Sequence, residues 1–334
     1  MDGLHVIVFC PPLCLAIEND VGFADRERAA AKKIRQKHTE FGRLNEKVSV
    51  FGRLTDVPSE VGPVRSGNVW TIPLRWLADR SLDEVQFVAE DFNDINVLVS
   101  AAHDSLNKRR FFAFAIRLSP VAGGGANTSR SFQMKAIERQ EITICLVDSD
   151  KASPSAPIGN TASKCAQVSG SGLYELRVTD GRTIENVLPW RLIDAVRANH
   201  APRPSLALSR IEAAAPQSTR YANLKYGESW YSVSRITRPE CSQFWASVRL
   251  AAGLPALPPC CGAICPAVAQ QNCHEVVVPG FGGSLLKDAQ TWLELNRGNS
   301  MRHRCYAESA DAREWDSVGQ WVADYCLGTR RNRI

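Results

Sequence analysis

The sequence "ITICLVDSD" (residues 142–150) decides the fold prediction, because an apolar run ends there in two aspartates one residue apart. Ile, Thr, Cys, Leu and Val suit a buried strand, whereas carboxylates are costly to bury unless they are paired. Stability alone gives no reason to place two negative charges at this point. The pair Asp148 and Asp150 therefore suggests a bound cation.

A second strand end carries acids as well. "FVAEDFND" (residues 87–94) is an apolar run that ends at Glu90, with Asp94 in the opening turn of the next predicted helix. Neighbouring parallel strands lie about 4.8 Å apart, so acids at two strand ends can share one ion. If the backbone is extended, Asp148 and Asp150 also point the same way. Hard divalent ions such as Mg²⁺ prefer oxygen ligands of this kind.

The middle of the chain, from about residue 84 to 199, alternates strand-like and helix-like runs. Such alternation predicts an α/β fold, with a mainly parallel sheet covered on both faces and functional groups at the carboxyl ends of its strands. The predicted strands are "EVQFVAE", "RFFAFAIRL", "EITICLVDSD" and "LYELRV", and the predicted helices are "NDINVLVSAAHDSLNK" and "TIENVLPWRLIDAVRAN", the latter interrupted by Pro189.

This order of motifs resembles the TOPRIM domain of topoisomerases, primases and OLD-type nucleases. The matching features are the strand that ends in Glu90 with Asp94 four residues on, a Gly-rich turn in "SPVAGGGANTS", and the Asp-x-Asp of "ICLVDSD". In addition, "RTIENVLP" is similar to a Glu-Asn helix of OLD-type and related defence nucleases. Many TOPRIM sequences have Gly after the first Glu, where this chain has Asp91; Glu90 is preferred because it ends the apolar strand.

The resemblance implies a TOPRIM-like, Rossmann-like sheet and a Mg²⁺- or Mn²⁺-dependent nuclease that hydrolyses phosphodiester bonds of DNA or RNA. It implies Glu90, Asp148 and Asp150 as catalytic residues and Glu90, Asp94, Asp148, Asp150 and Glu185 as metal-site acids. The chain has no ATPase motif, which favours a stand-alone or partner-controlled enzyme of the anti-phage or toxin kind. Basic residues close in sequence could hold the nucleic acid; they are Lys108, Arg109, Arg110, Arg130 and Lys151.

Two other functions stay open at this point. In a phosphatase of the haloacid-dehalogenase type, Asp148 would be the phosphorylated nucleophile and Asp150 the acid/base, which leaves Glu90 without a role. In a non-catalytic module that binds nucleic acid or a partner protein, Asp94 would be a helix cap and the "DSDKASPSAP" acids would belong to a turn.

Composition sets wider limits. The 334 residues are 44% hydrophobic and 22% charged, with a net charge of +5 that is compatible with a polyanionic partner. We expect an N-terminal α/β extension (1–80), a TOPRIM-like catalytic domain (81–200) and a mostly helical C-terminal region (201–334). The sequence predicts no membrane span and no signal peptide, and so a cytoplasmic protein.

A cysteine-rich segment lies in the C-terminal region. Thiolates and an imidazole at close spacing suit a structural zinc site, although the spacing is not the usual Cys-x-x-Cys, and unligated thiols are the alternative. The candidate ligands are Cys260, Cys261, Cys265, Cys273 and His274.

Overall fold

A computed structural model describes residues 5, 11–36, 44–55, 62–74, 76, 83–253, 275–297 and 312–329. The strands are β1 (Phe51–Thr55), β2 (Val64–Ser66), β3 (Val69–Pro73), β4 (Val85–Ala89), β5 (Phe114–Ile116), β6 (Leu118–Ala122), β7 (Thr143–Val147), β8 (Tyr174–Val178), β9 (Glu228–Ser229), β10 (Val276–Val278) and β11 (Leu327–Thr329).

The α-helices are α1 (Pro11–Asn19), α2 (Asp25–Gln36), α3 (Phe92–Lys108), α4 (Thr128–Gln133), α5 (Asn160–Ala166), α6 (Trp190–Val196), α7 (Pro204–Ala214), α8 (Ser218–Tyr221), α9 (Trp230–Ser234), α10 (Pro239–Ala251), α11 (Leu285–Leu295) and α12 (Arg313–Tyr325). Short 3₁₀ turns are Leu44–Glu46, Gly125–Asn127 and Ile184–Val187, and a π-helical turn, Met134–Glu138, continues α4. Among the described residues, no helix is both long and apolar enough to cross a bilayer.

The central sheet has four parallel strands in the order β6-β4-β7-β8. This confirms the predicted α/β class with a parallel, Rossmann-like sheet. From β4 the chain moves outward to β6 and then crosses back over β4 to β7. The strand order therefore reverses between β4 and β7, and a crevice at such a switch point is the usual position of a binding site in open α/β sheets.

Both faces of this sheet are covered, because the strands are apolar on each side. Phe87 and Ile144 face the layer that contains α3 and α12, and Trp315 of α12 belongs to the same buried core. Val88 and Cys145 face the opposite way, into a smaller core with α4 and α5. Strands buried on both faces explain the continuous apolar runs in the sequence.

The strand predicted at "RFFAFAIRL" is displaced along the chain, and this prediction is corrected. The central strand is Leu118–Ala122, whereas Phe114–Ile116 forms a separate antiparallel pair with β11. Strand β6 includes the first four residues of the predicted Gly-rich turn "SPVAGGGANTS", so the turn itself begins at Gly123. Tertiary pairing with β4 selects the segment, and the local apolar pattern does not reveal which of two adjacent runs will pair.

The N-terminal region adds a small sheet in the order β1-β3-β2, with its own core around Val50, Trp70 and Ile72. The main core continues past residue 200, since Leu208, Trp245 and Leu285 belong to the same cluster as the α3 side of the sheet. The predicted region boundaries at about 80 and 200 remain predictions. The apolar pattern of "LHVIVFC" (residues 4–10) predicts a strand at the start of the chain, but of these residues the structure describes only His5.

Helices α3 and α12 approach each other closely at one glycine. A β-carbon at Gly319 of α12 would lie 2.4 Å from the Ala101 carbonyl oxygen of α3. The neighbouring Val318 and Val322 are fully buried. Gly319 therefore sets the distance between the C-terminal helix and the helix that leaves the candidate site.

We expect Gly319→Ala to destabilise the protein by about 1–3 kcal/mol, because the added methyl overlaps a backbone carbonyl in a packed core. In an unhindered helix the same change would stabilise by about 0.5–1 kcal/mol, so the sign itself is informative. Urea unfolding measures the difference. Gln320→Ala, on the exposed side of the same helix, is the matched control, and a stabilised Gly319→Ala would contradict the close contact.

Candidate active site

Two of the predicted acids lie at the switch point of the sheet. Glu90 directly follows β4 and Asp148 directly follows β7, and these strands are neighbours in register, with Val88 opposite Cys145. The Gly-rich turn after β6 is fastened to the same edge, because the Gly123 and Gly124 amides donate to the Ala89 and Glu90 carbonyls at 2.7 and 3.0 Å. The carboxyl ends of three strands are thereby joined.

Asp94 is held toward the same edge by the start of α3. Asp91 is the N-cap, with its side chain accepting from the Asn93 amide, while the Asp94 carboxylate accepts from the Asp91 amide at 2.9 Å. This reciprocal pair is a capping box. Asp94 is 8% exposed. Asp94 therefore does take part in capping α3, and the same contact places the Asp94 carboxylate near Glu90.

Glu185 approaches from a third segment, the 3₁₀ turn Ile184–Val187. The Ile184 amide donates to Asp148 Oδ1 at 2.8 Å, which fixes this turn against the end of β7. Glu185 is completely buried. The side-chain amide of the adjacent Asn186 donates to the Thr219 and Ala222 carbonyls. Glu185 therefore lies in the site, while Asn186 holds the segment that follows α7.

That next segment brings Lys225 to the site. Lys225 Nζ lies 2.9 Å from Glu185 Oε1. The Leu224 and Lys225 carbonyls accept from the amides of Phe281 and Gly282, each at 2.8 Å, so the C-terminal Gly-rich turn supports the lysine loop. Sequence reasoning missed Lys225, because a lone lysine in a loop gives no signal until the fold places it beside a buried carboxylate.

Asp150 occupies a different position from Asp148. Its φ of +54° is left-handed, so the chain after β7 is not extended through Asp150, and the extended backbone on which a shared side-chain direction was predicated is absent there. Asp150 is exposed, and it packs so closely on Gly159 that a β-carbon there would lie 2.2 Å from Asp150 Oδ2. Between the two aspartates, the buried Ser149 hydroxyl donates to the Gly181 carbonyl and anchors the turn.

The carboxylates at this edge of the sheet raise one another's pKa values. Burial and the charges of Glu185, Asp94 and Glu90 raise the pKa of Asp148 to about 8. Burial, opposed by the Asp91 amide, and the charge of Glu185 raise the pKa of Asp94 to about 7. Burial, and then the charge of Asp150, raises the pKa of Glu90.

Lys225 is the cation that partly compensates these charges. Burial lowers its pKa, but the charge and hydrogen bond of Glu185 and the charges of Asp148 and Asp94 outweigh burial, so the pKa of Lys225 is raised overall. Among the residues that the structure describes, one lysine interacts with four acids: Glu90, Asp94, Asp148 and Glu185. Negative charge therefore remains in excess, and protons or a cation must balance it.

The donor set suits a hard divalent cation. Among the described residues, no three His, Cys, Asp or Glu side chains are grouped closely enough to hold an ion by themselves. All the clustered acids are nevertheless oxygen donors, and buried Glu185 Oε2 has no hydrogen-bond partner. Mg²⁺ is often bound through one or two carboxylates, with waters and phosphate oxygens completing its shell. The residues fit that type of site and not a preformed protein cage.

The predicted nucleic-acid contacts are mostly elsewhere. Lys108, Arg109 and Arg110 lie at the far end of α3, about 20 Å from Asp94 at 1.5 Å per residue. The first two pair with Asp316 and Asp324 of α12. Arg130 pairs with Glu138. Of the five, Lys151 is the one that follows a site residue directly in sequence.

A cavity of about 310 Å³ lies between β8, α12 and the N-terminal sheet, away from the carboxylate cluster. It is lined by polar and aromatic residues, among them Arg177 and Trp321, and Arg65 in its wall pairs with Glu175. None of the clustered acids contributes to it.

The cysteine segment that was predicted to bind zinc, residues 260–274, lies outside the described residues. Cys241, upstream of it, is described and buried, with its Sγ 3.3 Å from the Ser153 hydroxyl.

We expect the metal-free protein to lose stability as pH rises from about 5 to about 8. An unfolded Asp has a pKa near 3.9, so over this range the unfolded chain has released a proton that Asp148, with a pKa of about 8, still holds in the folded state. Asp148→Asn should therefore gain stability relative to wild type by about 1–3 kcal/mol across the range.

Denaturant unfolding in EDTA at several pH values tests this expectation. Asp316→Asn is the control and should leave the pH slope nearly unchanged, because Asp316 lies in α12 and pairs with Lys108 at the far end of α3. Parallel curves for wild type and Asp148→Asn would contradict the clustering of the acids.

Comparisons with protein-family models, with curated proteins and with solved structures find no match to this chain. The function must therefore be inferred from the residues of the site. Those residues are four carboxylates and a lysine, supplied by separate segments and gathered at the carboxyl end of a parallel sheet.

Proposed function

We propose that this chain is a metal-dependent nuclease that hydrolyses phosphodiester bonds of DNA or RNA, with a TOPRIM-like sheet as its catalytic domain. The observation that supports it is the convergence of Glu90, Asp94, Asp148 and Glu185 with Lys225 at the switch point of the sheet. Three of these acids lie in the motifs on which the resemblance rests, and Glu185 lies in the Glu-Asn motif.

In this proposal, Mg²⁺ or Mn²⁺ is held by Asp148 and Glu185 together with waters and phosphate oxygens, while Asp94 and Glu90 lie beside these two carboxylates. A bound divalent ion polarises the phosphoryl oxygen, stabilises the leaving alkoxide and lowers the pKa of a water molecule. Burial of the Glu185 carboxylate supports this assignment. Lys225 pairs with Oε1, but Oε2 has no hydrogen-bond partner, so a bound cation would balance the remaining charge.

The chain's own groups supply the remaining chemistry. Lys225 places an ammonium beside the carboxylates, where it can balance charge on the phosphate. Glu90, which is only partly buried and has a raised pKa, is the candidate general acid or base. The charge of Asp150 raises the pKa of Glu90, so Asp150 lies near the cluster. We assign it an electrostatic effect on Glu90 and not direct metal ligation together with Asp148.

Regulation by a partner protein and a role in anti-phage defence or as a toxin rest on the resemblance alone. The phosphatase alternative uses Asp148 and Asp150 as a pair, and the exposed, left-handed position of Asp150 gives it less support. A non-catalytic module would need no cluster of raised-pKa acids at the sheet edge.

Mutation of the clustered residues should abolish nuclease activity. We expect Asp148→Asn, Glu185→Gln and Lys225→Met each to reduce cleavage of plasmid and RNA in Mg²⁺ or Mn²⁺ by about 100-fold or more. The first two changes remove a carboxylate that holds the metal, and the third removes the cation beside the phosphate. Asp91→Asn is the matched control, because Asn can still cap α3 and Asp91 is not among the proposed ligands. Hydrolysis of a small phosphomonoester that needs Asp148 but not Glu90 would support the phosphatase alternative instead.

Metal binding should also be visible as stabilisation. Millimolar Mn²⁺ or Mg²⁺ should raise the melting temperature of the wild type, since a ligand that binds only the folded state stabilises it, by about 2.7 kcal/mol at 100 times its Kd. Glu185→Gln and Asp148→Asn should lose most of this rise, whereas Asp91→Asn should keep it. An unchanged melting temperature in the wild type would favour the non-catalytic reading.

A further inference from the structure

Two exposed aromatic side chains border the carboxylate cluster. Phe92 is 53% exposed and stands between Glu90 and Asp94 in the chain, as the first residue of α3. Tyr226 is 59% exposed and follows Lys225 directly. Single exposed apolar residues are common on protein surfaces, but these two are attached to the two segments that supply the acids and the lysine.

The position of Tyr226 is built by glycines. A β-carbon at Gly280 would lie 2.3 Å from the Tyr226 carbonyl carbon, and one at Gly283 would lie 3.4 Å from its hydroxyl. The Tyr226 amide also donates to Asn223 Oδ1 at 3.1 Å. The backbone of Tyr226 is thus held firmly against the Gly-rich turn while more than half of the residue stays accessible. A fixed, accessible ring loses little entropy when a planar ligand stacks on it.

Two cationic groups near the cluster, among the residues that the structure describes, are already paired. Lys225 pairs with Glu185, and Arg182 pairs with Glu228 at 2.8 Å. Tight binding of a duplex depends on many unpaired Lys and Arg side chains along the phosphate backbone, and the Lys108–Arg110 group lies at the other end of α3. Stacking on aromatic rings, by contrast, needs bases whose faces are open, which a single strand offers and a duplex does not.

We propose that Phe92 and Tyr226 stack on unpaired bases of the strand bound at the carboxylate cluster, and that the substrate is single-stranded nucleic acid. This inference rests on the proposed nuclease function. Phe92 would hold a base next to Glu90, and Tyr226 a base next to Lys225. Both are positioning residues, since the proposed contact is between their rings and the bases and not with the scissile phosphate.

The test compares one labelled oligonucleotide, as DNA and as RNA, alone and annealed to its complement, in Mn²⁺. The wild type should cleave the single strand about tenfold faster or more than the duplex. Phe92→Ala and Tyr226→Ala should each raise KM for the single strand by about 5- to 100-fold with little change in kcat, and the corresponding Trp variants should restore it. Phe112→Ala is the matched control, because Phe112 is 60% exposed and lies beyond the far end of α3.

The outcomes separate the two proposals. Cleavage that requires Asp148 but is equally fast on the duplex, or aromatic variants that behave like Phe112→Ala, would overturn the single-strand inference and leave the nuclease in place. Cleavage of neither form by the wild type would overturn the nuclease. In that case, fluorescence anisotropy in Ca²⁺ can still measure how tightly the protein binds the same oligonucleotides. If Phe92→Ala and Tyr226→Ala bind the single strand as tightly as the wild type does, the stacking inference is overturned as well.

Discussion

The fully buried carboxylate of Glu185 is the constraint on which the site depends. A charge without solvent must be compensated, and the structure supplies one ammonium, from Lys225, at 2.9 Å. To bring that ammonium there, the Lys225 loop is tied to Asn186 on one side and to the C-terminal Gly-rich turn on the other. The C-terminal region is therefore part of the site and completes what the sheet begins.

The same constraint explains why the acids differ in character. Asp94 and Asp148 lie beside Glu185 and each other, so burial and repulsion raise their pKa values to about 7 and about 8. Asp150, in contrast, is exposed and has a left-handed backbone conformation. Acids that look alike in the sequence therefore differ in the structure. Asp94, Asp148 and Glu185 must share protons or a cation, whereas solvent can screen the charge of Asp150.

The sequence predicted most elements of the middle region because their patterns are strong. Strands β4, β7 and β8 are apolar runs buried in a parallel sheet, and α3 follows an evident N-cap at Asp91. The third predicted strand was misplaced by a few residues, since two adjacent apolar runs compete and only pairing with β4 selects Leu118–Ala122. Glu90, Asp94 and Asp148 could be placed together in advance because they follow the ends of parallel strands, which meet at one edge.

The sequence alone determined the class of sheet and the edge at which its acids collect. Both follow from the alternation of strand and helix patterns and from apolar runs that end directly in an acid. Only the tertiary structure decided that Lys225 faces Glu185, that Asp150 has a left-handed backbone conformation, and that the basic run at the end of α3 lies far from the cluster. These facts depend on long-range contacts and on one backbone dihedral angle. A local sequence pattern encodes neither of them.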